Sequence, residues 1–252
     1  TYFTRTAPTA TFHRSRSCAR SERGGASTLL ERGREGGEAA AGLGVDGPVS
    51  DESLDRLVDF YRTRGRCPKV QLTPYQHPSL LEGLAARGFV THDLSTVMVR
   101  PLPRARARKP SPGLTLRRLR HTDDQDVAAF VASQMTGFLE GAEPPAALAS
   151  IMERVARIPR ATFWLIERDG QVIGSGGLER FESSAVLIAG CVHPEARRQG
   201  VHSDFIELRL DAATEMGAGY AVIASKPGGP TERNALRAGF SVAYTLLELR
   251  GP

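Results

Sequence analysis

The sequence predicts an α/β (α+β) chain in which helices and strands alternate and one set of elements occurs twice. Three observations predict it. Short apolar runs and 3.6-residue apolar stripes follow one another from Leu43 to the end. A hairpin signal, Asp169-Gly170, joins two of the runs. An ordered group of elements recurs at an offset of about 150 residues.

Residues 1–41 are rich in Arg, Ser, Gly and Ala, show no sustained period, and read as a flexible basic segment. Order is expected from Leu43. Ser50 or Asp51 can cap a helix over 51–65 that carries Leu54, Leu57, Val58 and Tyr61 on one side and stops at Gly65. Val70-Gln71-Leu72 is a short strand. Pro78 opens a second helix through Leu84, which Arg87-Gly88-Phe89 ends, and a strand runs from Phe89 to Val99. These elements form a first module, 42–100. Pro101, Pro103, Pro110 and Pro112, separated by Arg and Lys, then make a stiff connector over 101–112, the expected domain boundary.

The second module, 113–252, begins with the alternating strand 114–117 and a helix from Asp123 through Phe130. After a loop at 141–145 comes a helix over 146–157 and three strands at 162–167, 171–178 and 185–192. Phe163 and Trp164 read as core. A helix over 203–216 bears Phe205, Leu208, Ala212 and Met216 on one face, widened by Ile206, Leu210 and Ala213. Strand 220–224, helix 231–238 and strand 240–249 finish the chain. The pattern helix, strand, proline-led helix, Gly88-Phe89, strand thus returns as helix, strand, Pro230-led helix, Gly239-Phe240, strand.

An apolar share of 40% in 252 residues supports packed cores. No apolar run is long enough for a bilayer, so no membrane association is expected. Thr1 to Ala10 lacks a basic start and an apolar h-region, and Cys18, Cys67 and Cys191 lie far apart without CxxC spacing. A cytoplasmic location with neither disulfides nor a metal site is expected. The net charge of +5 collects in Arg5 to Arg23 and in Arg100 to Lys109, without interleaved aromatics. It reads as solvated tail and linker, so nucleic acid is not an expected partner.

The stretch with the most chemistry is 191–203, Cys-Val-His-Pro-Glu-Ala-Arg-Arg-Gln-Gly-Val-His-Ser. A strand that ends in an Arg/Gly loop and feeds a helix leaves a cluster of unpaired N–H groups at the positive end of the helix dipole, which suits a phosphate or pyrophosphate. Gly174-Ser175-Gly176-Gly177 mimics part of a dinucleotide fingerprint, but a strand follows it instead of a helix, so that reading fails.

The ordered set Val192-x-Pro194-x-x-Arg197-Arg198-Gln199-Gly200-x-His202, then a helix, a strand and Arg233-Asn234-x-x-Arg237-x-Gly239-Phe240, resembles the GCN5-related N-acetyltransferase (GNAT) family. Residues 113–252 cover the family pattern, and 42–100 resemble a degenerate partial copy, making the chain similar to tandem members. Gly44-Val45-Asp46-Gly47-Pro48, with Asp51 and Glu52 close behind, offers carboxylates where a pyrophosphate would sit, so that copy is expected to lack a cofactor site.

The resemblance implies the GNAT acyl-CoA N-acyltransferase fold, a mixed, mostly antiparallel sheet flanked by helices, with acetyl-CoA as cosubstrate and no metal. It implies transfer of an acetyl group to a primary amine of a small molecule or peptide by direct attack, in a monomer or homodimer. It implies that Arg197, Arg198, Gln199, Gly200, Val201, His202 and Ser203 hold the phosphates. Cys191 and Val192 would present strand backbone to the pantetheine and the thioester carbonyl, and Asn234 would contact the arm. His202 departs from the usual small residue. Ala235 stands where many members carry the Tyr that protonates the leaving thiolate, so Tyr244 and Glu179 are the candidates for acid and base. His193 is expected in solvent and Cys191 as a small buried strand residue. The alternative is a non-catalytic acyl-CoA-binding or regulatory protein.

Overall fold

The structure, a computed structural model, describes residues 18–20, 29–31, 39–102, 113–139 and 146–252. Two short antiparallel strands, β1 (Cys18–Arg20) and β2 (Leu29–Glu31), occur in the segment expected to be flexible. The rest of 1–38, most of the expected connector and the 141–145 loop lie outside the described residues. The elements then run α1 (Asp51–Arg62), β3 (Lys69–Leu72), α2 (Pro78–Ala86), β4 (Val90–Pro101), β5 (Leu114–Arg118), α3 (Asp124–Leu139) and α4 (Ala146–Ala156). They continue with β6 (Ala161–Arg168), β7 (Gln171–Phe181), β8 (Ser184–Val192), α5 (Val201–Glu215), β9 (Tyr220–Ser225), α6 (Pro230–Arg237) and β10 (Ser241–Arg250).

The chain divides into two compact units, Thr1–Leu94 with Thr245–Pro252, and Ser95–Tyr244. The division therefore falls inside β4 and β10 rather than at the proline-rich connector. Backbone pairing is the reason. Residues Thr96–Pro101 of β4 pair antiparallel with β9, and Leu247–Arg250 of β10 pair antiparallel with β3.

In the first unit the Ser50 hydroxyl accepts from the Ser53 N–H (3.3 Å), and Leu54, Leu57, Val58 and Tyr61 turn inward as their spacing predicts. They pack with Val70, Leu72, Leu80, Leu84, Phe89 and Leu249. Arg87 closes the base of the two helices through Asp51 (2.9 Å) and Asp55 (2.7 Å).

In the second unit the strand order is β4-β9-β8-β7-β6-β5, with β8 and β9 parallel and β5 through β8 antiparallel. Alternate residues of β6 serve different cores. Phe163 and Leu165 join Val127 and Phe130 of α3, whereas Ile166 joins Val201 and Phe205 of α5. Helices thus cover both sides of a mixed, mostly antiparallel sheet. The glycines of β7 make this possible. A Cβ on Gly177 would lie 2.4 Å from the Phe163 ring, and one on Gly176 would lie 2.6 Å from Phe205. The Gly-Ser-Gly-Gly run is a packing feature.

Candidate functional site

Strand β8 pairs with β9 only from Ser184↔Tyr220 to Leu187↔Ile223, and beyond that the two part. On its other side β8 stays joined to β7 as far as Gly174↔Val192, through an irregularity in which Ala189 takes φ +50°. A cleft of about 330 Å³ opens where β8 and β9 separate. Leu187, Ala189 and Gly190 line one wall, Ile223 to Lys226 another, and His202, Arg209, Gly229 to Thr231 and Phe138 the rest.

The loop leading into α5 ends in left-handed backbone, and the helix begins at Val201. Arg198 (φ +63°) and Gly200 (φ +81°) are left-handed, and Gly200 caps α5 without a side chain. Helical bonding starts with the Asp204 N–H donating to Gly200 O (3.0 Å), so the Val201, His202 and Ser203 N–H groups have no helical acceptor. These N–H groups fit a phosphate, while the parted β8 and β9 fit an extended arm.

The side chains of the loop differ from expectation. Arg197 is spent on structure: its Nε donates to Val192 O (3.1 Å) and its Nη2 to Gly137 O (2.8 Å). Gln199 donates to Glu195 O (2.9 Å) and accepts from Arg168. Arg198 is exposed. Asn234 bridges α6 to the loop, with its amide at 3.0 Å from His202 Nδ1 and its oxygen accepting from Arg237 (2.9 Å). His202 lines the cleft, and burial, aided by the Arg209 charge, lowers its pKa to about 4. A neutral ring is thus fixed, with Nδ1 accepting from Asn234.

Cys191 and Val192 stand just beyond the cleft-lining part of β8. Cys191 is buried against the Ser175 hydroxyl (3.4 Å) and Gln134 Nε2 (3.4 Å), and burial pushes its thiol pKa up, as suits an inert strand residue. Val192 packs with Val201 and Phe205. Glu179, on β7, pairs with Arg160, and neither it nor the half-buried Tyr244 belongs to the cleft walls. Ala235 is buried in the core beside Ile206 and Phe240, so its side chain faces away from solvent.

Sequence reasoning missed a buried polar group on each side of β8. His193, expected in solvent, is only 7% exposed and meets the Ser133 hydroxyl at 2.9 Å through Nε2. Arg209 is 1% exposed and lines the cleft. Its signal was present, since Phe205, Arg209 and Ala213 lie four residues apart on one stripe. The inward face of α5 holds Phe205, Ile206, Leu210 and Ala213 as expected, with Ala212 and Met216 partly buried against the core, and adds Val201, Asp204 and Arg209. Among the described residues no cluster suits a metal ion, and no helix is long and apolar enough to cross a membrane.

Comparisons with known proteins agree with this geometry. Residues 124–240 match the model of the acetyltransferase (GNAT) family. A GCN5-related N-acetyltransferase from Kribbella flavida superposes with a TM-score of 0.64 at 16% identity, over 94% of this chain and 90% of its own. A conserved protein of unknown function from Staphylococcus epidermidis gives 0.61 at 9% identity, over 93% and 94%. A tandem GNAT protein from the clavulanic acid biosynthesis pathway gives 0.58 at 18% identity, over 80% and 70%. At such identities these likenesses show the fold. No curated protein matches the sequence. The family match covers a little under half of the chain, and the solved structures show that the chain shares the fold of GNAT proteins.

Proposed function

Starting from that likeness, we propose that the chain is an N-acetyltransferase that moves an acetyl group from acetyl-CoA to a primary amine of a small molecule or peptide, by direct attack in a ternary complex. The observation that carries the reading is the set of unaccepted N–H groups at Val201 to Ser203 beside the parted β8 and β9. Acetyl-CoA supplies the activated thioester. The chain's part is to hold phosphates on the α5 N-terminus, with Arg198 adding charge, and to align an extended arm along Ala189 and Gly190. Oriented backbone donors in such a cleft favour charge that develops on a carbonyl oxygen. Neither Glu179 nor Tyr244 reaches the cleft walls, so the version proposed has no dedicated acid or base from that pair. A positioned acid or base adds about 10²–10⁴-fold, and its lack slows turnover without abolishing it.

We also read the chain as a tandem protein whose first copy, 42–100, has lost the cofactor site. Two register facts support this. Val97 of β4 pairs with Ala224 of β9, and Leu247 of β10 pairs with Leu72 of β3, the matching positions lying about 150 residues apart. At the start of α1, moreover, the Ser50 hydroxyl takes the Ser53 N–H and Arg87 takes Asp51, leaving little for an anion to meet.

Titration calorimetry of the full chain with acetyl-CoA and coenzyme A tests the first reading, and absent binding of both would end it. A non-catalytic acyl-CoA-binding role is the second reading, favoured by the buried Ala235 and the distant Glu179. Thiol release from acetyl-CoA across an amine panel separates the two: sustained turnover on any amine excludes the second.

A further inference from the structure

Arg209 is the least accounted-for group in the second unit. Its Nε donates to Phe205 O (3.2 Å), and its Nη1 lies 3.4 Å from Gly177 O and 3.5 Å from Ile188 O. Its Nη2 is fully buried and has no hydrogen-bond partner. No carboxylate forms an ion pair with it among the described residues; the face of Phe205 lies 4.1 Å from its charge, and His202 and the Cys191 thiol are within reach of its field. The same cleft holds a second orphan, the buried hydroxyl of Ser225 at the end of β9. Of the three buried side-chain atoms without a partner among the described residues, two, Arg209 Nη2 and Ser225 Oγ, belong to residues that line this one cavity, and the third is Gln134 Oε1. Gly190 leaves room for the guanidinium itself, because a Cβ there would sit 3.0 Å from Nη2.

A buried cation without a counter-anion is a costly arrangement, and an acetyl methyl group would do nothing to relieve it. A guanidinium whose Nη2 is unpaired offers planar, directional donors that match a carboxylate. We propose that Arg209, assisted by Ser225, is a carboxylate-binding residue in the cleft, so that one of the two substrates carries a carboxylate there. The proposal rests on the acyl-CoA reading of the cleft. Burial lowers the Arg209 pKa to about 9, which still leaves it charged at neutral pH, and its field helps to keep His202 neutral. The carboxylate has two possible sources, the far end of a dicarboxylic acyl group or the amine acceptor itself.

Calorimetry on the full chain distinguishes them. In the first arm acetyl-CoA is compared with malonyl-CoA and succinyl-CoA. In the second, with coenzyme A saturating, amino acids are compared with the amines that lack their carboxylate. The expected result is at least a tenfold preference for the carboxylate-bearing member in one arm. Arg209→Met, close in length and uncharged, should reduce that ratio to below twofold while free coenzyme A binds both proteins alike. Equal affinities in both arms, or a preference that survives in Arg209→Met, would overturn the proposal. If Arg209→Met fails to fold, Arg209→Lys takes its place: it keeps the charge without the planar fork, and an unreduced ratio would again overturn it. Should coenzyme A not bind the wild type at all, the function proposed above fails and thermal unfolding with malonate alone decides this site. An Arg209-dependent rise in Tm supports it, and no rise counts against it.

Discussion

Asp126 sits at 3% exposure where the first turn of α3 meets the end of β5, and its surroundings decide its charge. Burial alone would raise its pKa, but the Arg120 N–H (2.9 Å), the Arg120 guanidinium (3.0 Å) and Arg117 outweigh that and hold it at about 2. A carboxylate lowered in this way adds stability that is full above the unfolded value near 3.8 and is lost as pH falls through about 2. Asp126→Asn should cost about 2 kcal/mol at pH 7 in urea unfolding, and that deficit should shrink as both proteins are acidified. His202 has the opposite charge type and a related sign. Its folded pKa of about 4 lies below the ordinary 6.5, so its contribution is full above pH 6.5 and is lost on acidification toward 4. Wild type minus His202→Gln should lose up to about 3 kcal/mol across that window, read as the difference between two urea titrations. None of these charge states could be read from sequence. Arg117, Arg120 and Asp126 are spaced by local geometry, and the Phe205-Arg209-Ala213 stripe marks Arg209 as inward without giving its charge state or partners.

At the scale of elements, boundaries and caps were legible because they are local. Pro78 at the first position of α2, Gly200 at the head of α5 and the Asp169-Gly170 turn each impose a backbone that few residues share. What the loop side chains do was not legible, since Arg197 finds its partners in Val192 and in Gly137, the latter on a helix sixty residues earlier. The start of α5 offers a probe that separates stability from binding. Ser203→Asp places a negative charge in the first turn, where it favours the helix by about 0.3–1 kcal/mol through the dipole. The same charge opposes a pyrophosphate on the neighbouring N–H groups. The expected outcome is an unchanged or raised Tm together with at least tenfold weaker coenzyme A binding. Unaltered affinity would move the phosphate site away from α5.

At the scale of the whole chain, the recurrence of elements was visible because it is a one-dimensional pattern, whereas the partners of the strands were not. A proline-rich connector suggested self-contained modules at 42–100 and 113–252, yet Thr96–Pro101 pair with β9 in the unit Ser95–Tyr244, and Leu247–Arg250 pair with β3 in the other unit. Backbone groups on β9 and β3 need those partners, because strands left with an open edge lose ladder bonds and template association. A fragment 113–252 should therefore be poorly folded or aggregated, while 90–252 should keep β9 paired. A point mutation makes the same argument in the intact protein. Leu249 is buried in the first unit among Leu54, Val70 and Leu84, although it lies near the end of the second module. Leu249→Ala should cost about 2–5 kcal/mol. Its effect on hydrogen exchange should appear in α1 and β3, nearly two hundred residues earlier, and should spare α3 and β6. Exchange that quickened only in the second unit would mean that β10 ends there, and the connector would be the boundary after all.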